Sequence, residues 1–316
     1  MVEVTLVDYF SFFYRAALVS FTQQLSVNGE TTGILFNLYR SYYYILKNFK
    51  NVVFCIDGRV ARSFRKQQFS DYKSNREIMR NKYQKLDIYK WKDVFMETIP
   101  YYYGTNESYE GDDIIASLVG RLCKKNIKVN ILTLDTDLWQ LIDFGKVDVY
   151  DLKHRYRYVD YDYFLERFNG LKYPQLIPLY KVIFGDPSDN IPKAIKPHTR
   201  KKPLINILNT LYQQSIFKDL DILLLEVYRK EKDKFAIHDT NQLLTFLHLI
   251  ELQDSIYVDI KYSKGCKQKY QDICKKYLFK KVPKFDDFEY MLSRNSGGVR
   301  NIFGVDVVGS EVDEML

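Results

Sequence analysis

Three apolar runs in this chain each stop at an aspartate, and that pattern restricts the fold more than any other feature. Val2 to Val7 ends at Asp8, Asn51 to Ile56 at Asp57-Gly58, and Lys128 to Leu134 at Asp135-Thr136-Asp137. Short runs rich in β-branched residues and closed by turn residues read as buried strands. Helical spacing lies between them, over about Ile34 to Lys47 and again at Ile114, Ile115, Leu118, Val119 and Leu122. Strands alternating with helices imply an α/β fold, a mostly parallel central sheet flanked by helices. Ligands of such sheets bind outside the carboxyl ends of the strands. Asp8, Asp57, Asp135 and Asp137 are therefore expected on one edge. The helix that begins at Tyr109-Glu110-Gly111-Asp112-Asp113 starts at that same edge and adds three more carboxylates.

Acids at a helix start have two readings. They cap free backbone N–H groups and suit the positive end of the helix dipole, or they hold a cation. Those residues alone leave both open, and convergence with the strand-end acids favours a metal site. Carboxylates without His or Cys select hard cations, Mg²⁺ or Mn²⁺. His154, His198, His238 and His248 fall outside every acidic cluster. So many carboxylates on one edge suggest two ions, which suits phosphodiester hydrolysis. The chain has no G-x-x-x-x-G-K-[ST], G-x-G-x-x-G or H-E-x-x-H, which argues against a P-loop, a dinucleotide site and a zincin.

At 316 residues the length suggests about two domains. The net charge of +7 makes nucleic acid a more natural partner than a membrane. Cys55, Cys123, Cys266 and Cys274 form no CxxC pair, so buried thiols in a reducing compartment are expected. No signal peptide or membrane-spanning run is visible, and a cytoplasmic protein is expected, in the host cytoplasm if phage-encoded.

From about 60 to 100 basic and aromatic residues interleave, among them Arg65, Tyr72, Lys73, Arg76, Arg80, Lys82 and Lys85. A turn-rich break with two acids follows at Gly185-Asp186-Pro187-Ser188-Asp189-Asn190-Ile191-Pro192. Then comes a basic segment with Lys193, Lys196, Arg200, Lys201 and Lys202. Helices are expected to about Ile260, a second basic stretch over Lys261 to Lys284, and an acidic and apolar tail from Gly304.

Taken together, these segments resemble the 5′ nucleases: the polymerase I-type 5′→3′ exonuclease domain, the phage flap endonucleases and the T-even-phage ribonuclease H. The match is collinear from about residue 4 to 192. It runs through Val7-Asp8 with Phe13-Tyr14-Arg15-Ala16, Gly29-Glu30-Thr31-Thr32-Gly33, and Phe54-Cys55-Ile56-Asp57 with Phe64-Arg65. It continues through Tyr72-Lys73-Ser74-Asn75-Arg76, Glu110-Gly111-Asp112-Asp113, Asp135-Thr136-Asp137 and the 185–192 break.

The resemblance implies a PIN-like nuclease core over residues 1–180 with a helical arch at about 77–105. A helical C-terminal domain, 181–316, would hold a modified helix-hairpin-helix-type duplex-binding segment and an acidic tail. Asp8, Asp57, Glu110, Asp112 and Asp113 would hold the first ion, with Asp135, Asp137, Asp186 and Asp189 toward a second. Lys73 and Arg76 would meet the scissile phosphate, Tyr72 would stack on the terminal base, and Lys181 would sit near the same phosphate. Arg80 would track the strand through the arch. The Tyr101-Tyr102-Tyr103 run reads more readily as packing than as stacking.

After Pro192 this chain departs from the family, which usually places a glycine-rich hairpin there. The glycines are missing, which puts a monovalent cation site in doubt. Lys193, Lys196, Arg200, Lys201 and Lys202 would replace the grip on duplex phosphates by charge. The expected protein is a monomeric 5′→3′ exonuclease and flap endonuclease with RNase H-type primer removal. It would act on branched or 5′-ended DNA and RNA/DNA duplex, beside a single-stranded-DNA-binding protein or sliding clamp of the replisome. The rival readings are a catalytically silent junction-binding protein of the same fold and a phosphatase of small metabolites.

Overall fold

The computed structural model describes residues 2–23, 25–61, 63–74, 88–216 and 218–305. The three expected strands are present as β1 (Glu3–Asp8), β4 (Val52–Ile56) and β6 (Lys128–Thr133). A small hairpin of β2 (Ser26–Val27) and β3 (Glu30–Thr31) lies between the first two. The main sheet also takes in β5 (Tyr101–Thr105), β7 (Val147–Asp151), β8 (Arg157–Tyr158) and β9 (Asp259–Ser263). Its order is β8-β7-β6-β1-β4-β5-β9. The five inner strands run parallel, and the two edge strands, β8 and β9, pair antiparallel. From β1 the chain builds outward through β4 and β5, then crosses to β6 on the other side. That reversal opens a crevice at the carboxyl ends of β1 and β6.

The helices Tyr9–Gln23 and Gly33–Asn48 pack together on the sheet. Phe12, Tyr39, Tyr42, Phe54 and Phe95 form the aromatic centre there, all fully buried. Each such ring contributes roughly 1.5–3 kcal/mol by leaving water. On this scale the site-bearing strands β1 and β4 are anchored by rings behind them.

Two boundaries differ from the sequence expectation. Residues 88–105 are not part of an arch. Ile88–Thr98 is a core helix, with Trp91, Phe95 and Ile99 buried at helical spacing, and Tyr101–Thr105 is an inner strand. Trp91, flanked in sequence by Lys90 and Lys92, points into the core. Residues 75–87, which carry Arg76, Arg80 and the rest of the expected arch, lie outside the described residues. The 181–316 region, expected as one helical domain, is split. Thr240–Ile250 packs on Ile177–Phe184, and Leu220–Glu231 packs against both Thr240–Ile250 and Lys201–Gln214, but residues 259–303 return to the sheet and its helices. There β9 pairs with β5, and Phe288 of the helix Phe285–Phe303 stacks on Tyr42 at 5.6 Å.

Candidate metal and nucleic-acid site

A hollow of about 770 Å³ opens at the carboxyl edge of the sheet. Asp8 from the end of β1, Asp57 after β4, Asp135 after β6, and Glu110 and Asp112 at the start of the helix Gly111–Lys124 all line it. Asp186 lines it from the 185–191 turn. Residues separated by more than a hundred positions thus meet on one rim, as parallel-sheet topology requires.

Glycine makes the rim compact. The Asp57 carboxylate accepts from the Gly111 N–H at 2.7 Å, and a Cβ on Gly111 would sit 3.0 Å from that same oxygen. A Cβ on Gly58 would lie 2.1 Å from the Asn106 carbonyl oxygen, so only glycine lets the loop after β4 pass.

Asp8 accepts from the Ser11 N–H at 3.2 Å, from the Ser11 hydroxyl, and from Thr133 Oγ1 at 2.8 Å. Burial pushes its carboxyl up to about 6, against the pull of the Ser11 and Thr133 hydrogen bonds, and nearby Asp135 adds to the rise. Burial first, then Asp135 and Asp8, also hold the Asp112 carboxyl well above the usual range. Carboxylates crowded this way are stabilised by a cation. The acids lining the hollow offer carboxylate oxygens, and no His or Cys lines it. They fit a hard divalent ion.

A consequence for stability follows. Asp8 binds its proton more tightly folded, at about 6, than unfolded, at 3.8. The metal-free protein therefore loses stability as pH rises through that window, and the deficit is complete above it. In chelator at about pH 8, Asp8→Asn should melt a few degrees above the unsubstituted protein, and the gap should close at about pH 4. Added divalent ion should raise the melting temperature of the unsubstituted protein more than that of the variant. A variant that melts lower in chelator at high pH would contradict this.

Three of the nine expected ligands stand apart from the hollow. Asp113 needs correction: its Oδ1 and Oδ2 accept from Arg65 Nη2 at 2.7 Å and Nη1 at 2.9 Å, and Oδ1 also accepts from the Gln253 N–H at 3.0 Å. Both of its oxygens are engaged there, on the far side of the helix start. Asp137 and Asp189 group with Asp186 instead, their oxygens lying within 4.8 Å of one another, all buried. Lys181 sits in that group, ion-paired to Asp137 and, at 2.8 Å, to Asp186. Burial alone would raise the Asp186 carboxyl, but Lys181 and Ser188 override it and hold it below the usual range.

Arg65 is the residue sequence reading passed over. It is 6% exposed, and besides Asp113 it donates to Glu110 Oε2 at 2.5 Å. Its guanidinium is held charged by these acids despite burial. In the sequence it was one more arginine in a basic stretch, and its only signal was the Phe64-Arg65 pair.

Lys73 reaches Glu110 with Nζ 3.1 Å from both carboxylate oxygens and lies 3.9 Å from Asp189. Its backbone is left-handed, φ 54°, a conformation that costs energy in a residue with a side chain. The 185–191 turn holds it there: the Lys73 N–H donates to the Asp189 carbonyl at 3.4 Å, and the Asn190 amide donates to the Asp71 carbonyl at 2.9 Å.

Tyr72 corrects another expectation. Its ring is 1% exposed and its hydroxyl donates to Glu110 Oε2 at 3.1 Å, so it has no open face for a base here. Tyr72 and Lys73 both turn inward onto Glu110, because the 185–191 turn folds over them. Of the basic residues after Pro192, only Lys201 lines the hollow, opposite the acids and beside Tyr180. Lys193, Lys196, Arg200 and Lys202 are exposed beyond it. Arg167, which sequence reading did not single out, lines the same wall.

A mostly parallel α/β sheet with a carboxylate-lined hollow at its carboxyl edge is the class that fold and site define. Comparison places the chain within it. Residues 3–169 match the 5′-3′ exonuclease, N-terminal resolvase-like domain, and the chain belongs to the 5′–3′ exonuclease family. The 5′-3′ exonuclease of Buchnera aphidicola subsp. Baizongia pistaciae is 30% identical over 271 residues, covering 82% of this chain and 84% of that protein. DNA polymerase I of Borreliella burgdorferi is 25% identical over 264 residues, covering 82% of this chain. This chain spans only 28% of that polymerase's length. In fold it is similar to the T5 D15 protein co-crystallized with metal ions, with a TM-score of 0.57 at 15% identity over 92% of this chain and 98% of that one.

Proposed function

We propose that this chain is a divalent-metal-dependent, structure-specific 5′ nuclease. It removes nucleotides or short oligonucleotides from 5′ ends, flaps and RNA primers during DNA replication. The observation that carries this reading is the meeting of Asp8, Asp57, Asp112 and Asp135 in one hollow, with buried Lys73 beside them.

Asp8, Asp57, Glu110, Asp112, Asp135 and Asp186 are the residues that would hold Mg²⁺ or Mn²⁺, with Asp137 and Asp189 toward a second ion. Bound there, the cation supplies Lewis acidity at the phosphate and lowers the pKa of attacking water. Lys73, whose ammonium faces Glu110, would donate to the phosphate as charge builds on it. Lys181 plays the same part from the Asp137–Asp186 side. Lys201 and Arg167, on the opposite wall, hold backbone phosphates and orient the strand. Recognition is of shape and of a free 5′ end, since none of these groups is placed to read base edges in a groove. Arg76 and Arg80, for which the resemblance implies contact with the strand's phosphates, lie outside the described residues.

The protein would work as a monomer at the replication fork, with a single-stranded-DNA-binding protein or sliding clamp as partner. Among the described residues no helix is long and apolar enough to cross a membrane. A 5′-labelled flap and an RNA-primed duplex incubated with and without chelator test the proposal. Short 5′ products in divalent ion and none in chelator are expected. Binding without cleavage in every divalent ion would favour the silent junction-binding protein.

A further inference from the structure

A second hollow, of about 350 Å³, lies away from the carboxylate rim, between the helices Tyr9–Gln23 and Gly33–Asn48 and the turn joining β7 to β8. Arg15, Arg40 and Arg155 converge on it from three separate elements. No Asp or Glu lines it, and among the described residues none of the three guanidiniums has a carboxylate partner. Uncompensated positive charges gathered from distant positions repel unless an anion joins them.

The hollow is built rather than incidental. Arg15 is pinned: its Nε donates to the Leu152 carbonyl at 2.8 Å, and Nη1 lies 3.3 Å from Ser41 Oγ and 3.4 Å from the Tyr156 hydroxyl. Its guanidinium stacks 4.6 Å over the Tyr156 ring. Tyr44 stacks on the same tyrosine at 4.8 Å and is 45% exposed, which leaves part of its ring open to the hollow. Arg155 and Tyr156 are consecutive non-glycine residues with left-handed backbones, φ 56° and 62°. Positive φ at successive residues is what a tight connection between antiparallel strands uses, and the β7–β8 turn thereby fixes where Arg155 and Tyr156 stand.

We infer that this hollow binds one nucleotide unit, with its phosphate among Arg15, Arg40 and Arg155 and its base against Tyr44. Guanidiniums match phosphate oxygens in fork geometry, and an aromatic face accepts any base. The volume lies within the range of small-ligand sites. The inference rests on the proposed nucleic-acid function. The same chemistry has two sources, a nucleotide within a bound strand and a free mononucleotide such as a cleavage product.

The test uses the full chain, in chelator, with fluorescence anisotropy on a labelled single-stranded oligonucleotide and calorimetry with deoxynucleoside 5′-monophosphate. Arg40→Gln with Arg155→Gln changes two exposed side chains, and Arg229→Gln with Lys230→Gln removes the same charge elsewhere. The first pair should weaken binding about tenfold more than the control pair and lower the slope of log affinity against log salt by about one to two. Tyr44→Ala should cost a further severalfold and Tyr44→Phe nothing. Loss confined to the oligonucleotide assigns the unit to a strand, and loss of mononucleotide binding assigns it to free nucleotide. Equal effects from both charge-removing pairs, with Tyr44→Ala silent, would overturn the inference. So would displacement from the hollow by an acidic peptide alone. Because binding is read without turnover, failure of the nuclease reading would show separately, as absent cleavage by the unsubstituted chain.

Discussion

Replacing Lys73 by alanine is expected to slow 5′-end cleavage by about 10²–10³-fold, the scale on which loss of one charge-stabilising donor is felt. Substrate affinity in chelator should change by less than about threefold, because phosphates along the strand, more than the reacting one, set binding. The reasoning starts from placement. Lys73 is buried, its Nζ faces Glu110 within the hollow, and the 185–191 turn holds its backbone in a strained conformation. A surface lysine would need neither the burial nor the clasp. Alanine also leaves Glu110 short of a positive neighbour, so a stability cost is expected in chelator, reduced when divalent ion is present. Lys73→Arg separates charge from shape: it restores the charge but not the compact ammonium, and should recover only part of the rate. Single-turnover rates with saturating enzyme, beside thermal melts of each variant, check this. A Lys73→Ala protein that cleaves at the original rate would remove Lys73 from the chemistry.

The second large effect concerns stability. Arg65→Ala should destabilise the fold by about 3–5 kcal/mol, because it strands buried carboxylates without their partner. Arg65 holds Asp113 through two hydrogen bonds and Glu110 through a third, with all three side chains nearly fully buried. The pair also ties the segment at Gln253 to the helix start through Asp113. Asp113→Asn should cost less than Arg65→Ala, since Glu110 still answers the guanidinium. Arg65→Met combined with Asp113→Leu should recover much of the loss, because apolar replacement of both partners removes the stranded charge. Denaturant melts of the singles and the double give the coupling directly. Additive losses would show that the two side chains do not act as a pair.

This pair marks where the sequence was hard to read. Adjacent residues on a helix diverge by about 100°, so Asp112 and Asp113 do not both face one hollow. Helical geometry alone could have warned that one of them serves packing, but only the fold shows which. A guanidinium buried between carboxylates carries the same letter as one waiting for DNA, and the basic stretch around Arg65 hid the difference. Likewise Trp91 stands between Lys90 and Lys92 in a basic and aromatic stretch, yet it fills the core. Legible, by contrast, was whatever rests on period and punctuation. The apolar runs of β1, β4 and β6 stop at Asp8, Asp57 and near Asp135, and topology alone puts those ends together. β5 went unread because three tyrosines in succession have no alternation. β9 went unread because it pairs with a strand more than 150 positions earlier, which no local pattern reveals.

Diffraction from crystals soaked in Mn²⁺, recorded at its absorption edge, tests the carboxylate rim most directly. Anomalous peaks are expected among Asp8, Asp57, Glu110, Asp112, Asp135 and Asp186, lost from an Asp8→Asn, Asp135→Asn double variant. A rim without a peak at saturating Mn²⁺, or peaks only at remote surface acids, would contradict the proposed nuclease.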